Sequence, residues 1–219
     1  MFSGFVHLHT HSSYSPMWGV PTLETLCEAV HTQGHDTLAL TDTNGLYGAI
    51  RFLDVAKHLG LKPILGAELI KGQHRAVLLA KNPEGYANLC RLLSARHEQE
   101  PFEFIETVQR YRAGLVIISD DVVALTAWQA QVGEDLYVEL TPGAELQEAV
   151  TFSRQSRIPP VATTRAAMLR PTDFEAHRLL RAIAENTTLS RLRPERCCAP
   201  SHWLMPSSVM ARALPHVPE

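Results

Sequence analysis

The 219-residue chain has no apolar run near the roughly 20 residues that a bilayer-crossing helix needs. Its longest apolar stretches, such as Gly114 to Ser119, are far shorter, so no membrane segment is expected. It also lacks a basic leader followed by an apolar stretch, which implies a cytoplasmic location. Charge of one sign is missing too: 20 Lys and Arg against 23 Asp and Glu leave a net charge of −3. That balance gives no overall pull toward nucleic acid, so contact with DNA would have to come through an attached part. Cysteine is scarce at four residues, of which Cys27 and Cys90 fall in helical patterns and Cys197 and Cys198 are adjacent. None has zinc-site spacing, and free thiols are expected. Asn186-Thr187-Thr188 has the form of a glycosylation sequon, but without a secretory route it reads as a helix end and turn.

What is present is an ordinary globular composition, 45% hydrophobic and 20% charged, enough for one sizeable core. Short β-branched runs recur at Gly4 to His9, Thr37 to Thr41, Pro63 to Leu69, Arg75 to Ala80, Leu115 to Ser119, Leu136 to Leu140 and Pro160 to Thr163. Helical patterns lie between most of them: Thr22 to Thr32, Leu46 to Leu59, Pro83 to His97, Phe102 to Tyr111, Val122 to Gln131 and Ala144 to Ser156, with Asp173 to Glu185 after the last. This is β/α alternation. Gly34, Gly60 and Gly114 stand between a helix and the next strand, where a left-handed cap is needed. Thr172 before Asp173-Phe174-Glu175 suggests a capping box, and a short helix is expected from about Pro206 to Ala213. Seven strands can close into a barrel or lie open. If they close, chemistry gathers at the carboxyl ends of the strands, and polar residues fall there: His9 and His11, Asp42 and Thr43, Glu68, Ser119 to Asp121, and Thr163 to Arg165.

His7, His9 and His11 stand at alternate positions, so a strand would put all three imidazoles on one face, a pattern suited to metal binding or to lining a polar cleft. Four further stretches give this pattern a context. They are Tyr14-Ser15, Leu38-Ala39-Leu40-Thr41-Asp42 with Gly45-Leu46-Tyr47-Gly48-Ala49, Gly60 to Leu69, and Leu78 to Leu89, with a weaker one at Asp173-Phe174-Glu175-Ala176-His177. Together they resemble the PHP (polymerase and histidinol phosphatase) domain at the N-terminus of the alpha subunit of bacterial C-family DNA polymerase III, over essentially the whole chain.

The resemblance implies a distorted (β/α)7 barrel over residues 1–170. It also implies a helical extension, 171–219, leading toward polymerase domains that this sequence does not contain. The chain stops at Val217-Pro218-Glu219 in mid-pattern, as a segment cut at a linker would. Active family members carry a metal cluster that hydrolyses phosphoesters, sometimes as a 3′ to 5′ exonuclease. Carried over by position, His9 and His11 match the His-x-His pair and Glu68 the bridging glutamate. Other ligand positions have changed: Trp18 replaces an aspartate, Thr43 a histidine, Arg75 a histidine, Arg165 an aspartate and Ala167 a histidine. His74 could serve only if its strand slipped by one residue. Asp42 and His7 are weaker ligand candidates, with His7 placed rather beside the ligands. Asp120 and Asp121 read as a solvated turn near the mouth, and His177 as a core or surface histidine. A guanidinium cannot ligate a metal, so Arg165 is expected either to stand in for the metal's charge, paired with Glu68 or Asp42, or to face solvent.

The expectation is a degenerate metal site with no ion or one divalent zinc or manganese, in a domain with a structural or docking role. Its partners would be the rest of the polymerase subunit and a proofreading exonuclease subunit. The alternative is a metal-dependent phosphoesterase or 3′ to 5′ exonuclease acting on DNA ends. A free-standing small-molecule phosphatase fits the superfamily but not the Gly85-Tyr86-Ala87-Asn88-Leu89 stretch.

Overall fold

A computed structural model describes residues 5–98, 100–132, 135–143 and 145–214. Its frame is one six-stranded sheet in sequence order: β1 (Thr37–Leu40), β2 (Lys62–Lys71), β3 (His74–Ala80), β4 (Leu115–Ser119), β5 (Leu136–Leu140) and β6 (Pro160–Ala162). β1 and β2 are parallel, as are β4, β5 and β6, whereas β3 runs antiparallel to both of its neighbours. The reversal is local in origin. Only Gly72 and Gln73 separate β2 from β3, too few for a crossover, and Gly72 takes the positive φ (62°) such a turn requires.

The expected first strand does not form a ladder, and its Gly4 lies outside the described residues. Residues 7–11 instead span the two edges of the curled sheet through single bridges, His7 to Leu38 and Thr10 to Ala166. Side chains replace ladder bonds here: the Thr10 amide donates to the Thr41 hydroxyl at 2.9 Å, and the Thr10 hydroxyl to the Ala39 carbonyl. The result is an α/β half-barrel drawn together by this segment.

Helices α1 (Leu23–Thr32), α2 (Ala49–His58), α3 (Pro83–Glu98), α4 (Phe104–Tyr111), α5 (Val122–Val132) and α6 (Leu146–Ser156) cover the outside, and α7 (Phe174–Ala184) and α8 (Ser207–Ala213) follow β6. Gly34, Gly60 and Gly114 all have positive φ, as their positions predict. The Thr172 capping box does not form. Pro171–Asp173 is a 3-10 turn, and the Asp173 carboxylate turns back to accept from the Leu169 and Arg170 amides at 3.1 and 2.9 Å.

Outside the sheet, α3 to α6 bury Leu89, Leu92, Val108 and Trp128 against Leu69, Leu78 and Ile117. α1 and α2 bury Leu26, Val30 and Phe52 against Leu38 and Leu40. Inside, Ala39, Val77, Leu79 and Ile118 fill one end. The other end is polar, because period-two alternation carries the inward row of β3 from Leu79 through Val77 to Arg75, and that of β5 from Tyr137 to Glu139. Since β3 is reversed, its first residues join the carboxyl ends of the parallel strands. Among the described residues no helix is long and apolar enough to cross a membrane.

Candidate metal centre

His9, His11 and Glu68 meet at this polar end. All three are buried, and one ligand atom from each lies within 4.8 Å of the others. The Nε2 atoms of His9 and His11 are 3.1 Å apart, and the Glu68 carboxylate stands 3.5 Å from His9 and 3.7 Å from His11. Each imidazole is oriented from behind. His9 Nδ1 bonds Glu139 at 2.7 Å, and His11 Nδ1 bonds the Ser15 hydroxyl at 3.1 Å. Ser15 in turn donates to Asp42 at 2.6 Å. Donors assign in one direction along this chain if His9 is an imidazolium and His11 neutral: His9 donates to Glu139 and to His11, and His11 to Ser15.

The electrostatics agree. Burial alone would lower the His9 pKa, but Glu139 and then Glu68 raise it to about 9. Burial dominates at His11 and lowers it to about 4. Against its burial, Glu68 is held down to about 2 by its bond to His9 and the positive charge around it.

Arg165 supplies the rest of the balance. It is buried and has φ +45°, a conformation that a non-glycine residue adopts at a cost. Its Nε donates to Glu139 at 2.8 Å, and its Nη2 stands 2.7 Å from both Glu139 and Asp120. Arg75 reaches the same Asp120 through two bonds, at 2.9 and 2.5 Å. Arg165 therefore points into the centre, but its partners are Glu139 and Asp120 rather than Glu68 or Asp42. The sheet order explains this: Arg165 follows β6, the neighbour of β5, while Glu68 belongs to the far side of the mouth. Asp120 is thus part of the centre and not of a solvated turn. Three carboxylates, Glu68, Glu139 and Asp120, thus face the Arg75 and Arg165 guanidiniums and the His9 ring.

The other candidates disperse. His7 does not share a face with His9; its ring packs edge-on with Phe5 and His35, and burial lowers its pKa to about 3. Asp42 is occupied by the Ser12 amide and the Ser12 and Ser15 hydroxyls, and burial raises its pKa. His74 has not slipped inward; it bonds Asp121 at 2.6 Å, stacks on Phe104 and leaves the inward position to Arg75. Thr43 touches the centre, donating to Glu68 at 3.2 Å. Trp18 lies edge-on to His177 and beneath Arg181, and Ala167 is buried beside Met168 and Cys198. His177 is a core residue that joins Trp18 O to the Cys198 amide.

One participant, Glu139, and one neighbour within reach of its charges, His202, escape sequence reading. Glu139 is the one acidic residue in Leu136–Leu140, at the carboxyl end of an apolar strand, and that is the signal that marks it. His202 carries no motif, yet burial and then the positive charge of Arg165 lower its pKa to about 3.

The donor set fits one ion. His9 Nε2, His11 Nε2 and Glu68 resemble a two-histidine, one-carboxylate set, with Glu139 orienting His9 from behind. Arg75 and Arg165 pair with the remaining carboxylates, Asp120 and Glu139.

A family model described as the PHP domain matches residues 7–153. The DNA polymerase III subunit alpha of Buchnera aphidicola subsp. Schizaphis graminum is 30% identical over 98% of this chain and 22% of its own length. The error-prone DNA polymerase of Symbiobacterium thermophilum is 48% identical over 44% of this chain and 9% of its own length. The chain thus spans about a fifth of the first of these relatives. Two solved structures share the fold. A Bacteroides vulgatus two-domain protein described as containing a predicted PHP-like metal-dependent phosphoesterase has a TM-score of 0.55 at 12% identity, covering 73% of this chain and 51% of that one. A Chromobacterium violaceum amidohydrolase with bound sulfate and no metal has a TM-score of 0.54 at 13% identity, covering 73% and 86%. A half-barrel with His9, His11 and Glu68 at its mouth and a family match across most of its length place this chain in the PHP domain family.

Proposed function

We propose that this chain is the PHP module of a bacterial polymerase related to the DNA polymerase III alpha subunit, in which an internal ion-pair network has taken the place of the family's metal cluster. One observation carries the reading: the buried Arg165 guanidinium sits 2.7 Å from both Glu139 and Asp120. A fixed positive charge there performs the neutralising task of a cation without its ability to activate water. The module then serves architecture. In this reading the barrel domain spans positions 1–170, the extension 171–219 leads toward the polymerase parts, and a proofreading exonuclease subunit docks on the module. DNA is reached only through the parent polymerase, and a cytoplasmic location follows from that role.

The convergence of His9, His11 and Glu68 favours a second reading, a one-ion phosphoesterase or 3′ to 5′ exonuclease acting on DNA ends. An ion bound there would supply Lewis acidity to a phosphoester oxygen. Hydrolysis of a 3′-labelled oligonucleotide in zinc and in manganese decides between the two. The wild-type chain should release no more product than His9→Ala. A metal-dependent rate at least tenfold above that variant, or two or more ions per chain that elemental analysis finds in the wild type and not in His9→Ala, would overturn the structural reading.

A further inference from the structure

Among the described residues outside the metal centre, three buried side-chain nitrogen or oxygen atoms have no hydrogen-bond partner, and they belong to one cluster: His7 Nε2, His35 Nε2 and Gln33 Oε1. A buried polar atom left without a partner costs about 1–3 kcal/mol, so three together ask for an occupant. The remaining atoms of these side chains are placed. His7 Nδ1 faces the Thr164 hydroxyl at 3.4 Å, and Gln33 Nε2 donates to the Leu204 carbonyl at 3.0 Å, which leaves the amide oxygen as the free end. Gln33 lies beside His7, close enough to oppose in part the lowering of the His7 pKa by burial. The Phe5 ring packs edge-on, 4.9 Å from His7 and 6.1 Å from His35 between centroids, and makes one wall apolar.

The ring spacing is compatible with one class of occupant. Two imidazoles that bind one tetrahedral ion through nitrogen at about 2.0–2.1 Å hold their ring centroids roughly 5 Å apart. The His7 and His35 centroids are 5.3 Å apart, close to the 5.0 Å of His9 and His11. Neutral imidazoles with an amide oxygen suit a borderline first-row ion rather than magnesium or calcium. We propose that His7, His35 and Gln33 form a second site, for a divalent ion of the zinc or nickel class, separate from the His9 centre. The site joins three parts of the chain: the segment that spans the sheet edges, the loop between α1 and β1, and, through the Gln33 bond to Leu204, the C-terminal segment. An ion there ties that segment to the barrel.

The test uses nickel and zinc with the whole chain, reading stoichiometry by elemental analysis after gel filtration and melting temperature with and without metal. The half-buried His35 is the residue to change. His35→Ala should bind one ion fewer than the wild type and lose the metal-dependent rise in melting temperature, Gln33→Leu should weaken that ion at least tenfold, and His9→Ala should retain it. Equal metal content and equal metal-dependent melting in wild type and His35→Ala would overturn the proposal in favour of a buried water. So would loss of the ion in His9→Ala, which would assign it to the centre at the mouth.

Discussion

Replacing Arg165 with methionine keeps an unbranched apolar stem and the strained backbone but removes the charge that Glu139 and Asp120 share. Both carboxylates lie close to the guanidinium, Glu139 nearly inaccessible and Asp120 about one-fifth exposed. At an effective dielectric near 20, a unit pair about 4 Å apart is worth ~4 kcal/mol, and removing one partner of a buried pair typically costs about 3–5 kcal/mol. Asp120 keeps Arg75, and Glu139 keeps His9 and the Thr163 hydroxyl, so most of the loss falls on Glu139. The expected destabilisation of Arg165→Met at pH 7 is about 3–4 kcal/mol by urea unfolding, or roughly 10 °C in melting temperature for a chain of this size. Adding Glu139→Gln to it should restore at least ~2 kcal/mol, because the charge left without a partner is then gone. The penalty should also shrink as pH falls, because the Glu139 carboxyl, relieved of its guanidinium, takes up a proton more readily. A loss under ~1 kcal/mol, or a double variant whose loss is the sum of the two single ones, would refute the view that Arg165 neutralises this cluster.

In EDTA, the His9 contribution to stability should be complete below pH 6.5, its unfolded value, and disappear as pH rises toward its folded value of about 9. A shift of that size is worth up to roughly 3 kcal/mol, so the stability difference between wild type and His9→Gln should narrow by that order between pH 6.5 and 9, and a constant difference would count against the imidazolium. On the acid side, His11, with its folded value near 4, weakens the fold as pH falls from 6.5 toward 4, and Glu68 does so below 4.5. His177→Ala removes the bonds to Trp18 and Cys198 together and leaves the Cys198 amide without an acceptor; it should cost about 2–3 kcal/mol in urea unfolding, and a cost below ~0.5 kcal/mol would show that this histidine does not hold the C-terminal segment.

The alternation of strands and helices was readable because each unit carries its own punctuation, as at Gly34, Gly60 and Gly114. His9, His11 and Glu68 were readable because the His-x-His pair and the Gly60 to Leu69 stretch carry a recognisable motif. What was not readable depends on which strands are neighbours. Arg165 finds Glu139 and not Glu68 because β6 lies against β5, and no local pattern encodes that order. The reversed direction of β3, which brings Arg75 rather than His74 to the mouth, was present only as a gap of a few residues. His7 misled because the period-two rule holds for a ladder, and residues 7–11 make single bridges whose bonds run through threonine hydroxyls.

Those bridges also bear on how the chain reaches its fold. Thr10 pairs with Ala166, a contact between residues more than 150 positions apart, and closing a loop that long costs on the order of 4–5 kcal/mol in chain entropy. Little offsets that cost until β1 to β6 are aligned, since His9 and His11 need Glu68 and Glu139 already in place before their charges are satisfied. Insertion of the first strand-like segment is therefore expected late in folding, with the ion-pair centre assembling with it rather than guiding it.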